Sequence, residues 1–136
     1  MKVYFFTLCL FFLSCSARGE KNDYVYENDT IKQTVTINYI NENTINFNLT
    51  SYNKRIDKSA TIEGEAKNEY SDFGSENDAD EEGNAYFVDE YIYVGDCWLS
   101  FRIDMDTQTT MRVTLADCEE NPYCPFTSIN LLQKIK

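Results

Sequence analysis

The sequence contains no histidine, and that one absence removes much of the common catalytic repertoire. A Cys/His zinc site, a Cys–His pair and a Ser–His–Asp triad each need an imidazole, so none of them can be assembled. Proline occurs only at Pro122 and Pro125, and the five glycines of the chain leave little room for a phosphate-cradling loop. No stretch sustains a helical apolar period. Cations are the minority: 12 Lys and Arg stand against 23 Asp and Glu, for a net charge of −11. That balance favours solubility and disfavours nucleic acid and anionic lipid surfaces, while it attracts cationic proteins and metal ions. An enzyme built from this inventory would depend on carboxylates, lysine, tyrosine or a metal. Paired acids are so abundant that no glycosidase-like pair is singled out, so the expectation is a non-enzymatic protein with no catalytic residue to name.

What is present begins with the N-terminus, "MKVYFFTLCLFFLSCSARGE". Lys2 precedes an apolar run from Val3 to Leu13, and small residues follow. The run falls short of the ~18 apolar residues that span a bilayer, so residues 1–14 read as a secretory signal and not as a membrane helix. The phrase "FLSC" resembles the lipobox of bacterial lipoproteins, with Leu13 and Ser14 in pattern and Phe12 where Leu is more usual. "FLSCS" after a Phe/Leu run is similar to the lipoprotein signals of Bacteroidetes-type bacteria. The resemblance implies that Cys15 becomes the lipidated first residue, with acyl chains such as palmitate holding the protein to the lipid bilayer of the cell envelope, at the outer membrane. The alternative is ordinary cleavage after Ala17 and a secreted protein.

Residues 15–30 read as the lipidated cysteine and a polar tether, with Tyr24 to Tyr26 a place where a first strand could start. Removing residues 1–14 leaves about 120 residues, enough for one modest core, and residues 31–136 read as a single β domain. "KQTVTINYI" alternates Val35, Ile37 and Tyr39, and "TINFNLTSY" alternates Ile45, Phe47 and Leu49, around the Asn-rich turn "NEN". Two period-two segments joined by a short turn predict a β-hairpin. "SATIEGEAK" predicts a third strand with Gly64 at a bend or bulge. "NAYFVDEYIYVG" is strand-like. "CWLSFRIDM", with Leu99, Phe101, Ile103 and Met105 alternating, pairs with "TTMRVTLAD", with Met111, Val113 and Leu115, around Asp106 to Thr109. A last strand places Ile129 and Leu131 on one face. The expected fold is all-β: an antiparallel meander of about seven strands forming a small barrel or sandwich, interrupted by a long acidic loop.

That loop carries the candidate site. Counting from Asp78, carboxylates fall at the first, third, fifth and twelfth places (Asp78, Asp80, Glu82, Asp89), with Gly83 sixth and Asn84 seventh. The spacing is close to a twelve-residue calcium loop, but amphipathic helices are missing on both sides, so it is not an EF-hand. A looser calcium site using Asp78, Asp80, Glu82, Asn84 and Asp89 is one reading; a solvated acidic loop that draws a cationic partner is the other. The aromatics Tyr86, Phe87, Tyr91, Tyr93 and Trp98 offer a binding surface, although core filling accounts for about half of them. The sequons at Asn28 and Asn48 bear on glycosylation only in a eukaryotic secretory route.

Once Cys9 leaves with the signal and Cys15 is lipidated, Cys97, Cys118 and Cys124 remain, an odd number for an oxidising compartment. Strand parity turns Cys118 away from Cys97. A bridge between Cys118 and Cys124 across "EENPY" is therefore favoured, Cys97 with Cys124 is the alternative, and Cys97 with Cys118 needs a bulge. The functional expectation is an envelope-anchored binding or inhibitor-like module for a cationic protein; a calcium-stabilised structural lipoprotein is the alternative. Small β-barrel envelope lipoproteins that inhibit lysozyme are similar in size, anchoring and architecture, and the likeness is one of class, with none of their motifs present.

Overall fold

The computed structural model describes residues 20–68, 76–79, 82–118 and 131–135, with the backbone alone for 76–78. Nine strands follow in order: β1 (Lys21–Glu27), β2 (Ile31–Asn41), β3 (Thr44–Asn53), β4 (Lys58–Lys67), β5 (Glu76–Ala79), β6 (Ala85–Val94), β7 (Trp98–Asp104), β8 (Thr110–Ala116) and β9 (Leu132–Lys134). Every pairing is antiparallel, and the described residues contain no helix. The all-β meander that the alternation predicts is the observed fold.

The sheet order β4-β3-β2-β1-β9-β8-β7-β6-β5 is joined by a further β4–β6 pairing, Lys67 to Ile92, so eight strands form a ring and short β5 rides outside it on β6. Closure removes most of the exposed edge that an open sheet presents. Inside the ring, the predicted alternation supplies the core: Val35 and Ile37 from β2, Ile45, Phe47 and Leu49 from β3, Leu99, Phe101 and Ile103 from β7, Met111 and Val113 from β8. Phe47 sits at the centre, its ring 4.6 Å from that of Phe101 and 5.1 Å from that of Tyr93.

Four local expectations differ from the structure. β1 lies inside the segment that reads as tether, and its Tyr24 is fully buried, so the barrel begins at Lys21. Gly64 makes no bulge: β4 stays in continuous register with β3, and the glycine is needed because a Cβ there would meet Tyr93 Cε2 at 2.7 Å. The Tyr93 ring is held between Gly64 on one edge and Gly95 on the other, where any side chain would collide with its hydroxyl. Gly64→Ala is therefore expected to destabilise the domain by about 1–3 kcal/mol through overpacking, read as a lowered urea midpoint; an unchanged midpoint would remove this explanation of the glycine. On β9 the core residue is Leu132, fully buried, whereas Leu131 is half-buried and precedes the strand; Ile129 lies outside the described residues.

The fourth correction concerns the disulfide. Cys97 bonds to Cys118, with Cα atoms 4.4 Å apart, in place of the favoured bridge from Cys118 to Cys124; Cys124 lies outside the described residues. The β7–β8 register ends with Trp98 opposite Ala116, and the next residue, Asp117, takes a left-handed φ of 55°. Strand parity therefore stops at Ala116. Aspartate tolerates the left-handed region better than most residues, and the reversal brings Cys118 back to Cys97.

Candidate functional site

The antiparallel order fixes which loops share an end of the ring. Glu20, the β2–β3 turn at Glu42 and Asn43, the segment between β4 and β6, and the β7–β8 turn lie together; the other end carries the β1–β2, β3–β4 and β6–β7 turns with the disulfide. The first end exposes Glu20, Glu42, Glu82 and Asp106, with Lys21, Lys67 and Lys134 as its described cations. The disulfide end exposes Glu27, Asp29, Asp57, Asp96 and Asp117 beside Lys54, Arg55 and Lys58, and Lys54 pairs with Glu27 at 2.6 Å. What makes the first end the acidic one is the sequence between Lys67 and Ala85, which holds seven acids and no Lys or Arg.

The acidic end has a firm rim because side chains tie its turns. Asp104 closes the β7–β8 turn by accepting from Asp106 N at 2.9 Å, Thr107 N at 3.1 Å and Thr107 Oγ1 at 2.8 Å. Partial burial works against the Asp104 carboxylate, but these hydrogen bonds outweigh it and hold the group below the usual carboxylate range. Gln108 follows with φ of 52°, and its carbonyl accepts the Tyr24 hydroxyl at 2.8 Å. Across the mouth, Asn41 Oδ1 accepts from Asn43 N at 2.9 Å, and the Tyr91 hydroxyl donates to Glu42 O at 3.3 Å. Two inward phenols thus anchor two rim turns.

Three other inward polar groups have no such anchor. Asn22 is 3 % exposed and its Nδ2 has no hydrogen-bond partner among the described residues. Tyr39, packed edge-on to Tyr91 at 6.3 Å between ring centroids, and half-buried Asp89 make no hydrogen bond through their side chains among the described residues. Asn22 shares the inward face of β1 with Tyr24, and it lies between Glu20 and Tyr24, both of which act electrostatically on Tyr39. Asp89 and Tyr91 act on Tyr39 from β6. Above them the inward columns of β6 and β7 end in Phe87 and Met105, 53 % and 48 % exposed and joined by Met105 N donating to Phe87 O at 3.0 Å.

Burial pushes the Asp89 carboxyl up. It also raises the phenols of Tyr24 and Tyr91 to about 12, helped by Glu20 and Asp104 at Tyr24 and by Asp89 at Tyr91, and it raises Tyr39 as well. These shifts favour the neutral phenol in the fold, so their stabilisation is complete below the ordinary value of 10.0 and is lost as pH rises toward 12. Absorbance titration should show these three phenols ionising only as near-ultraviolet dichroism collapses. A single ionisation near pH 10 with the fold intact would contradict this packing.

The calcium-loop residues are distributed differently. β5 pairs with β6, Asp78 opposite Tyr86, and Asp89 lies three residues further along β6, about 10 Å of strand, on its inward face. Glu82 and Asn84 are exposed between the two strands. Asp80 and the side chain of Asp78 lie outside the described residues, as do Cys15 and the signal segment. Among the described residues no group of three or more His, Cys, Asp or Glu gathers in a metal-holding arrangement, and no helix is long and apolar enough to cross a membrane. The aromatic set divides: Tyr91 and Tyr93 fill the ring, Phe87 stands at its mouth, and Tyr86 and Trp98 are half-buried. Asn22 and Tyr39 escape sequence reasoning as site residues; the polar residue in an inward strand position is the signal that marks Asn22. No protein-family model, curated protein or solved structure matches this chain.

Proposed function

We propose that this protein is an envelope-anchored, non-enzymatic binding module that holds a cationic protein against the acidic end of its barrel. The N-terminal lipoprotein-like signal supplies the anchor at Cys15, and since only residues 16–19 separate it from Glu20, a reach of at most ~18 Å, the docking face is the end of the barrel nearest the membrane. The observation that supports the docking role is the gathering of Glu20, Glu42, Glu82 and Asp106 around the exposed Phe87 and Met105 at a single end. An apolar centre with a charged rim is the anatomy of a protein interface, and an excess of carboxylates over lysines on that rim steers a cationic partner.

The test uses the chain from Ser16 onward, which carries all nine strands, with a strongly cationic enzyme such as lysozyme as the probe. Binding that weakens steeply between low and physiological salt, and weakens further in a Glu20→Gln, Glu42→Gln, Asp106→Asn variant, is the expected result. Absence of binding at low salt would overturn the reading. Calcium raising the melting temperature, with that effect lost on Asp78→Ala plus Asp80→Ala, would favour the calcium-stabilised structural role in its place.

A further inference from the structure

The ring closes through a single pairing, Lys67 with Ile92, and that leaves much of β4 with one neighbour. β4 extends back from this bridge to Lys58 at the disulfide end, whereas β6 stops just past it at Val94. On one side β3 holds β4 in unbroken register from Lys58 to Lys67. On the other side, no strand pairs with Ser59 to Glu63 among the described residues. Exposed edges are normally blunted by lysine, proline, a bulge or an inward charge, and the run Ser59-Ala60-Thr61-Ile62 has none of these. The edge is also preformed from the β3 side: Thr61 Oγ1 and Thr50 Oγ1 share a hydrogen bond at 3.1 Å, and Asn48 Nδ2 donates to Glu63 Oε2 at 3.3 Å. Ala60 and Ile62 are half-buried in the inward column, while Ser59, Thr61, Glu63 and Glu65 are exposed in the outward one. That outward column ends in two carboxylates and contains no cation, since Lys58 at the turn end has the other parity. A second copy of the chain fits poorly, because it brings the same acids and a net charge of −11. From this geometry we infer that the free edge of β4 takes an extended segment of a partner chain as an added antiparallel strand, with a basic side chain at every second residue. The added backbone completes the hydrogen bonding of β4, its small or apolar side chains cover Ala60 and Ile62, and its Lys or Arg residues face Glu63 and Glu65.

This goes beyond docking at the acidic end, which needs a folded cationic surface where the edge needs a free strand. The edge also lies past the disulfide-side end of β6, and Phe87 stands near the other end of that strand. The experiment titrates the chain from Ser16 with a short acetylated peptide alternating lysine and valine, following backbone amides by nuclear magnetic resonance. Shifts and slowed hydrogen exchange are expected at Ser59 to Glu63. Two further forms of the peptide carry N-methyl groups on alternate amides, one form for each edge of the strand. One should bind like the parent and the other at least about tenfold more weakly, because its amides cannot donate to β4. A peptide of the same composition with its lysines in one block should be weaker by at least about the same tenfold factor. Glu63→Gln plus Glu65→Gln should weaken the alternating peptide about tenfold while the melting temperature holds. Equal binding by the two methylated forms, or by the block peptide, would reduce the contact to charge attraction and overturn the inference. Unmoved amides at Ser59 to Glu63 in millimolar peptide would overturn it too. If the shifts then fell at Glu42 and Asp106 instead, the acidic-end reading would stand without this one.

Discussion

Truncating Phe101 to alanine is expected to cost about 3–5 kcal/mol, the range for emptying an aromatic site in a packed core. Phe101 is fully buried, lies in register between Tyr91 on β6 and Val113 on β8, and packs against Phe47 across the ring. Its removal opens a place where inward residues from opposite walls meet, and a closed barrel has little slack to refill it. Total stability of a domain of this size is about 5–15 kcal/mol, so the loss is a large share of the whole. Urea unfolding of Phe101→Ala beside Thr114→Ala, an exposed position on β8, provides the comparison. The second should move the midpoint by about 0.5 kcal/mol at most. Equal, small effects at both positions would mean that the ring is not packed as described.

Removing the Cys97–Cys118 bond is the next largest effect. The cysteines are separated by 21 residues, and chain-entropy reasoning for a loop of that length gives about 3 kcal/mol, or a melting temperature lower by about 10 °C. The bond closes the β7–β8 hairpin at the disulfide end, leaving the acidic mouth at the far end of both strands. Cys97→Ala plus Cys118→Ala should therefore lower stability without changing the Tyr39 and Asn22 signals of the folded protein. Peptide mapping under non-reducing conditions checks the pairing itself: a peptide joining Cys118 to Cys124 would contradict it.

The hairpins were legible because their inward residues are apolar and their outward ones polar. Val35, Ile37, Ile45, Phe47, Leu49, Leu99, Phe101, Ile103, Met111 and Val113 all face the core as the period-two pattern requires. β1 was obscured because its inward positions hold Asn22 as well as Tyr24, and an amide in the column breaks the contrast on which alternation depends. Ring closure was beyond reach: it rests on Lys67 meeting Ile92 across the acidic segment, and nothing local encodes that meeting. The disulfide escaped parity because a single left-handed residue, Asp117, ends the regular strand. The candidate site was half visible. Asp89 stands out in the sequence as the last member of an acidic run, but the barrel brings it near Tyr39 of β2.

The account turns on which end of the ring meets a partner, and amide chemical shifts of the chain from Ser16 during titration with a cationic protein read that out directly. The prediction is a cluster of shifted amides at Glu20, Glu42, Phe87, Met105 and Asp106, with Lys54, Arg55 and Gly95 at the disulfide end unmoved. Shifts centred on the disulfide end, or spread evenly over both, would contradict it.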